Sequence, residues 1–331
     1  MIKKTILEKK NNKQKPKKEN LKIVFIGTPE FGAIILRELI LNHLKPVLVI
    51  TRPDKPVGRK QIVVPPMVKI VAEKYNIDVI QTEEVGTKEK EISKLKPDLI
   101  LVAAFGHIIP KKILRIPRYG CLNIHPSLLP KYRGPAPIRF ALLNDEKETG
   151  VTINLMTEKL DTGPIIASKK LEINKKKFTG LELERELAHI GSKLFLDILD
   201  DWIDQKIKLI KQDESEASYT RIIKKEDGRI DWSRSAEEIE RKVRAFNPWP
   251  SAFCYAGNKI LKIWQASILK DNEKSPKGPI GKTFLAPNNK IAVKCKKNFL
   301  VIEELQLEGK KKVKVQDFLK GNVGFVGTIL K

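Results

Sequence analysis

The stretch CLNIHPSLLPKYRGPAP, residues 121–137, contains two side chains suited to chemistry at a carbonyl. An apolar run ends in Asn123, Ile124 and His125 and stops at Pro126. Asp161, in LDTGPI, follows the next apolar run, 150–157. A nucleophile attacking a carbonyl carbon builds an oxyanion, and the Asn123 amide and a His125 N–H are donors able to stabilise it. Asp161 can raise the basicity of His125, fix its tautomer, or relay a proton from an attacking amine. No G-x-S-x-G element occurs, so transfer between two bound substrates is expected in place of a covalent enzyme intermediate. Taken singly, Asn123 reads equally as a turn former, His125 as a core histidine and Asp161 as an Asx-turn before Thr162-Gly163. Their shared position after strands carries the chemical reading.

The surrounding pattern explains why they should meet. KIVFIG (22–27), PVLVIT (46–51), IDVIQT (77–82), DLILVAAFG (98–106), CLNIH (121–125) and GVTINLMT (150–157) are apolar runs of buried-strand type. Helical patterns run from Pro29 to about His43, then over 65–75, 87–95, 138–146 and 177–204, the last with Leu183, Leu187, Ile190, Leu194 and Ile198 on one face. This grammar predicts an α/β fold, a mostly parallel Rossmann-like sheet with helices on both faces. Ligands of such sheets collect at the carboxyl ends of the strands, where Asn123, His125 and the loop AAFGHIIP (103–110) fall. GTPEFG (27–32) sits between strand and helix as dinucleotide loops do. It lacks G-x-G-x-x-G, however, and places Glu30 and Phe31 where backbone should approach phosphate, so NAD is not expected. His43 and His189 stand alone on helical patterns, and His107 is expected to be structural.

A polar linker is expected at 206–222. Beyond it the pattern changes to one helix (235–245) and short strands separated by the turn sequences AGN and PNN. Several short strands in so few residues predict a small antiparallel, OB-like β-barrel over 223–331. The division expected is thus a basic solvated tail (1–20), a catalytic domain (21–205), a linker (206–222) and the C-terminal barrel-like domain (223–331).

Composition narrows the class. The chain has 331 residues, 41% of them hydrophobic, and a formal net charge of +24. Residues 1–20 hold eight lysines and two glutamates, while 206–331 hold 27 basic and 15 acidic residues, a net of +12. A basic C-terminal part points to a polyanion, nucleic acid above all. No apolar stretch approaches the roughly 18–20 residues that span a bilayer, so no membrane association is expected. The first 20 residues lack the apolar core of a secretory signal. Cys121, Cys254 and Cys295 are scattered, odd in number and without C-x-x-C, which argues against a disulfide framework or a zinc site and suits a reducing compartment.

With LNIHPSLLPKYRGPAPI and LDTGPI in place, the sequence resembles the formyltransferase family that uses 10-formyltetrahydrofolate. IVFIGTPEFG, TRPDKPVGRK, ETGVTI, GRIDWSRSAEEIERKVRAFNPWP and LEGKKKV extend the resemblance, in the family's order, from about residue 21 to 331. It implies that Asn123, His125 and Asp161 are the catalytic set. It also implies that Ser127, Leu128, Leu129 and Pro130 contact the folate and that Phe105, Gly106 and Ile108 line its pterin pocket. The co-substrate implied is 10-formyltetrahydrofolate, with no metal. The motifs best match the branch whose acceptor is methionyl initiator tRNA, a cytoplasmic activity of translation initiation, here expected of a monomer. In that branch the loop after the second strand, residues 51–69, reaches the acceptor stem. Here it carries Arg52, Lys55, Arg59 and Lys60. It departs from many relatives in lacking a second glycine after Arg59. The alternative acceptor is a nucleotide-linked amino sugar, since RIDW and NPWP are shared with enzymes of that kind.

Overall fold

The structure, a computed structural model, describes residues 21–58, 61–273 and 275–331; the expected tail of residues 1–20 and the loop cations Arg59 and Lys60 lie outside the described residues. The chain divides into two compact units, one running to Leu122 and adding Leu196–Ile207, the other made of Asn123–Phe195 and Lys208–Lys331.

In the first unit the elements are β1 (Ile23–Gly27), α1 (Glu30–Leu41), β2 (Leu48–Thr51), β3 (Lys55–Val57), β4 (Ile62–Val64), α2 (Met67–Lys74), β5 (Val79–Gln81), α3 (Glu89–Leu95), β6 (Leu99–Ala103) and α4 (Lys111–Leu114), followed by the start of β7 (Cys121–His125). β1 pairs in parallel with β2 and with β6, and β2 with β5. Every residue of β1 and β6 is buried, as strands covered on both faces require. A Cβ at Gly27 or Gly32 would stand 2.7 or 2.8 Å from the carbonyl oxygen of Ala103. The glycines of GTPEFG therefore let the chain approach β6 closely, a packing role. Within the 51–69 loop, β3 and β4 form an antiparallel hairpin that the sequence pattern did not reveal. Its second strand leaves Ile62, Val63 and Val64 exposed.

The second unit takes the chain onward through α5 (Pro137–Leu143), β8 (Glu148–Leu155), β9 (Ile165–Glu172) and most of α6 (Gly180–Ile203). β9 is a further strand, antiparallel to β8 and partly solvent-facing; its charged second half, with Lys169, Lys170 and Glu172, hid it in the sequence. The strand order is β5-β2-β1-β6-β7-β8-β9, a mostly parallel Rossmann-like sheet.

Beyond it, α7 (Ala236–Ala245) starts at a reciprocal cap: Ser235 Oγ accepts from Glu238 N at 3.2 Å, and Glu238 Oε2 accepts from Ser235 N at 2.9 Å. There follow β10 (Ala252–Ala256), β11 (Lys259–Leu269), β12 (Thr283–Ala286), β13 (Lys290–Lys294), β14 (Phe299–Leu307), β15 (Val313–Lys314) and α8 (Val315–Lys320). These strands form an antiparallel sheet of order β10-β11-β14-β13-β12, with β15 paired to β14. Leu330 bridges Ala256 and Ile329 bridges Lys282, so the C-terminal segment links both edges by isolated bridges in place of a continuous closing ladder. Trp232, Ile239, Val243, Leu261 and Ile302 are among the side chains of its core. Trp249, between Pro248 and Pro250, is 56% exposed.

Candidate active site

β7 delivers Asn123 and His125 to its carboxyl end because alternate side chains share one face of a strand. The two are 8% and 5% exposed. Asp161 comes to them from the turn between β8 and β9, held at φ +52°, a left-handed backbone uncommon outside glycine. Asn123 Nδ2 donates to Asp161 Oδ1 at 3.3 Å. The other carboxylate oxygen lies 3.7 Å from His125 Nδ1 and accepts from Gly134 N at 2.8 Å. His125 Nε2 is 3.0 Å from the carbonyl oxygen of Tyr132. A carbonyl only accepts, so Nε2 carries the ring proton and Nδ1 is the nitrogen free to take another. The three side chains thus form one cluster of an amide donor, a basic nitrogen and a carboxylate.

The 127–130 loop is fixed from below. Leu129 N donates to Thr152 Oγ1 at 3.0 Å, and that hydroxyl donates to Ser127 O at 2.8 Å. Ser127 Oγ donates to Lys131 O at 2.7 Å, so its side chain is buried in loop geometry. Leu129 is buried, Leu128 and Pro130 are half-buried, and the Leu129–Pro130 peptide is cis.

In the first unit, Phe105 is 2% and Ile108 77% exposed, with Gly106 also exposed between them. The exposed His107 ring stacks at a tilt on Phe105, with centroids 5.7 Å apart. Arg52 and Lys55 both face Glu83, at 3.8 and 2.6 Å. Lys55 foremost, and Arg52 more weakly, hold the Glu83 carboxyl below its usual range.

Several residues around the cluster were not singled out in the sequence. Tyr132 supplies the carbonyl that sets the His125 tautomer. Its own phenol donates to Glu146 at 2.5 Å, and burial, with that carboxylate, pushes its pKa up to about 12. Gly134 gives the N–H that holds Asp161, and at φ +107° a Cβ there would stand 2.8 Å from Thr220 O. Arg133, wholly buried, and Gln212, 4% exposed, back the Asp161 turn. A buried arginine in a cationic loop and a glutamine in a polar linker leave no pattern to find. Among the described residues no cluster of histidine, cysteine, aspartate or glutamate is arranged to hold a metal ion.

Comparison with known proteins agrees with this architecture. The family model described as "Formyl transferase" matches residues 21–199, and that described as "Formyl transferase, C-terminal domain" matches residues 222–323. A methionyl-tRNA formyltransferase of Bacillus velezensis is 42% identical, the match covering 93% of this chain and 97% of that protein. Another, of Citrifermentans bemidjiense, is 43% identical, with 91% and 93% covered. Among solved structures, an N-formyltransferase from Helicobacter canadensis in complex with folinic acid and dTDP-3-aminofucose shares the fold, with TM-score 0.63 and 23% identity over 88% of this chain and 100% of that one. HypX from Aquifex aeolicus in complex with tetrahydrofolic acid does so with TM-score 0.64 and 18% identity, over 92% and 48%. With both domain matches and near end-to-end relatives in agreement, the chain belongs to the formyl transferase family, in the branch of the methionyl-tRNA formyltransferases.

Proposed function

We propose that this formyl-transferring enzyme moves the formyl group of 10-formyltetrahydrofolate to the α-amine of methionyl initiator tRNA. The observation that carries this reading is the convergence of Asn123 and His125 on the Asp161 carboxylate, at 3.3 and 3.7 Å. The neutral α-amine attacks the formyl carbon, and the new N–C bond leaves negative charge on the formyl oxygen. Asn123 Nδ2 donates to that oxyanion. His125 Nδ1 accepts the proton lost by the attacking nitrogen, and the Asp161 carboxylate stabilises the imidazolium so formed. In this charged form His125 also stabilises the oxyanion through its positive charge, since Nε2–H is committed to Tyr132 O and Nδ1–H faces Asp161. As the intermediate collapses, the bond from the formyl carbon to N10 breaks, His125 passes the proton taken from the amine to N10, and tetrahydrofolate leaves as a neutral N10–H amine.

The folate is assigned to Ser127–Pro130 together with Phe105, Gly106 and Ile108. The tRNA is assigned to loop 51–69, through Arg52, Lys55, Arg59 and Lys60, and to the basic C-terminal domain. The net of +12 over residues 206–331 supports a polyanionic partner. The reading places the enzyme in the cytoplasm, as a monomer with no metal. No helix among the described residues is long and apolar enough to cross a membrane.

The test is a formyl-transfer assay with three acceptors: charged initiator tRNA, charged elongator methionine tRNA and a nucleotide-linked amino sugar. Formylation confined to the charged initiator is expected. Turnover of the sugar alone would keep the chemistry and overturn the assignment of the acceptor.

A further inference from the structure

We propose that Gln212, held by Arg133, is a positioning residue that sets Asp161 for formyl transfer. The proposal rests on the reading of Asp161 given above. Gln212 Nε2 donates to the carbonyl oxygens of Asp161 and Gly163, both at 2.7 Å, and so spans the turn that carries the carboxylate. Its Oε1 accepts from Arg133 Nε at 3.1 Å and from a second guanidinium nitrogen at 2.9 Å. The amide can point only one way, because guanidinium nitrogens donate and main-chain carbonyls accept.

Arg133 is fixed in turn. Its guanidinium bonds both Glu214 carboxylate oxygens, at 2.8 and 2.9 Å, and the Tyr219 hydroxyl at 2.8 Å. Its main chain is anchored on both sides, donating to Ser218 O at 2.8 Å and accepting from Thr220 N at 2.7 Å. The residue before it, Tyr132, presents the carbonyl on which His125 rests, and the residue after it, Gly134, donates to the Asp161 carboxylate. Segment 212–220, whose composition reads as a plain linker, therefore grips both partners of the proton relay. The carboxylate is held through Gly134 N–H, and its main chain is held through Gln212.

Gln212 does not touch the Asp161 carboxylate, so its effect on the reaction runs through the left-handed turn at φ +52°. Without the two amide donors that turn loses its fixed setting, and the carboxylate loses its register with His125. Displacement of a reacting group by about 1 Å costs about 10²-fold in rate.

The experiment is a double-mutant cycle read by single-turnover formyl transfer to charged initiator tRNA, with Gln212→Glu and Asp161→Asn. Glutamate keeps an acceptor for Arg133 but has no N–H for the two carbonyls. Gln212→Glu is expected to lower the transfer rate about 10- to 100-fold with KM for both substrates within about threefold. In the Asp161→Asn background the same change is expected to cost less than about threefold, because coupled residues are non-additive. An equal loss in both backgrounds, or no loss in either, overturns the proposal and leaves the assignment of Asp161 intact. Full activity of Asp161→Asn alone overturns that assignment instead. Should the glutamate variant fail to fold, Glu214→Gln at a 64% exposed side chain carries the same cycle. A fall that disappears in the Asp161→Asn background supports the proposal, and an equal fall in both, or none, refutes it.

Discussion

His125 and Asp161 stand with Nδ1 and Oδ2 3.7 Å apart, while the same carboxylate oxygen is held at 2.8 Å by Gly134 N–H. The separation exceeds hydrogen-bond length, so the neutral imidazole is not locked to the carboxylate. Protonation at Nδ1 would place a donor opposite an anion, the pairing that the proposed mechanism uses as the amine attacks. Asn123→Ala and His125→Ala should each lower kcat by about 10²–10³-fold, the usual loss of an oxyanion donor. KM for formyl-folate should change little if the interaction develops only in the transition state. Steady-state kinetics with charged initiator tRNA give both numbers, and either alanine variant working at the parent rate would remove that residue from the mechanism.

The strand that carries this pair was readable because its apolar run ends abruptly at Pro126 and its polar residues alternate. Its supports were not. Arg133 meets Gln212 across 79 positions of sequence, and His125 leans on a main-chain carbonyl that no side-chain pattern encodes. β9 escaped notice because its charged residues suit a solvated edge, and charge reads locally as loop. The β3–β4 hairpin lay concealed in a stretch rich in lysine, arginine and proline. The packing role of the GTPEFG glycines against Ala103 needed coordinates.

Gly134→Ala tests the support of the carboxylate from the main-chain side. The substitution meets Thr220 O at 2.8 Å and a φ of +107°, so the chain at 133–134 must shift away from Thr220. Backbone strain of this kind costs about 1–3 kcal/mol. That shift lengthens the Gly134 N–H contact to Asp161, and kcat should fall at least tenfold in protein that is still folded at assay temperature. A thermal melt paired with kinetics separates the effects. A lowered Tm with unchanged kcat would mean that this contact does not set the carboxylate.

The three thiols offer a check on packing in both units. Cys121, Cys254 and Cys295 are each no more than 1% exposed, and burial pushes their pKa values up to about 12. Thiolate is the reactive form, so native protein at pH 8 should resist alkylation, and three equivalents should react only after denaturation. Rapid labelling of one thiol in folded protein would show that its surroundings open readily.

Acid sensitivity is expected where the chain turns toward the C-terminal sheet. Arg221 donates twice to Asp227, at 2.7 and 2.6 Å, and Lys224 N donates once more at 2.7 Å. The Arg221 guanidinium is the chief cause that lowers the Asp227 pKa from 3.8 to about 2. A depressed carboxyl contributes stability above its unfolded value, near pH 4, and loses it as pH falls through about 2. Arg221→Ala should raise the folded-state pKa toward the unfolded one and move the acid-unfolding midpoint upward. Circular dichroism across pH 2–5 reads the shift, and coincident curves for parent and variant would deny the pair a part in acid stability.

Glu83 bears on how tightly the proposed tRNA loop attracts phosphate. It accepts Lys55 at 2.6 Å and stands 3.8 Å from Arg52, so two of the loop's cations share an internal anion. Both side chains remain partly exposed, and a phosphate would compete with Glu83 for them. Glu83→Gln removes the competitor without adding bulk. If Arg52 and Lys55 serve the tRNA, the variant should bind charged tRNA more tightly at about 50 mM salt, and log Kd should depend on log salt more steeply by up to about one unit. The two proteins should converge at high salt, where screening lengths shrink to about 3 Å at 1 M. Filter binding over a salt series measures the slopes directly. Identical slopes and affinities would take Arg52 and Lys55 out of the tRNA interface and leave the basic C-terminal domain as the source of the electrostatic attraction.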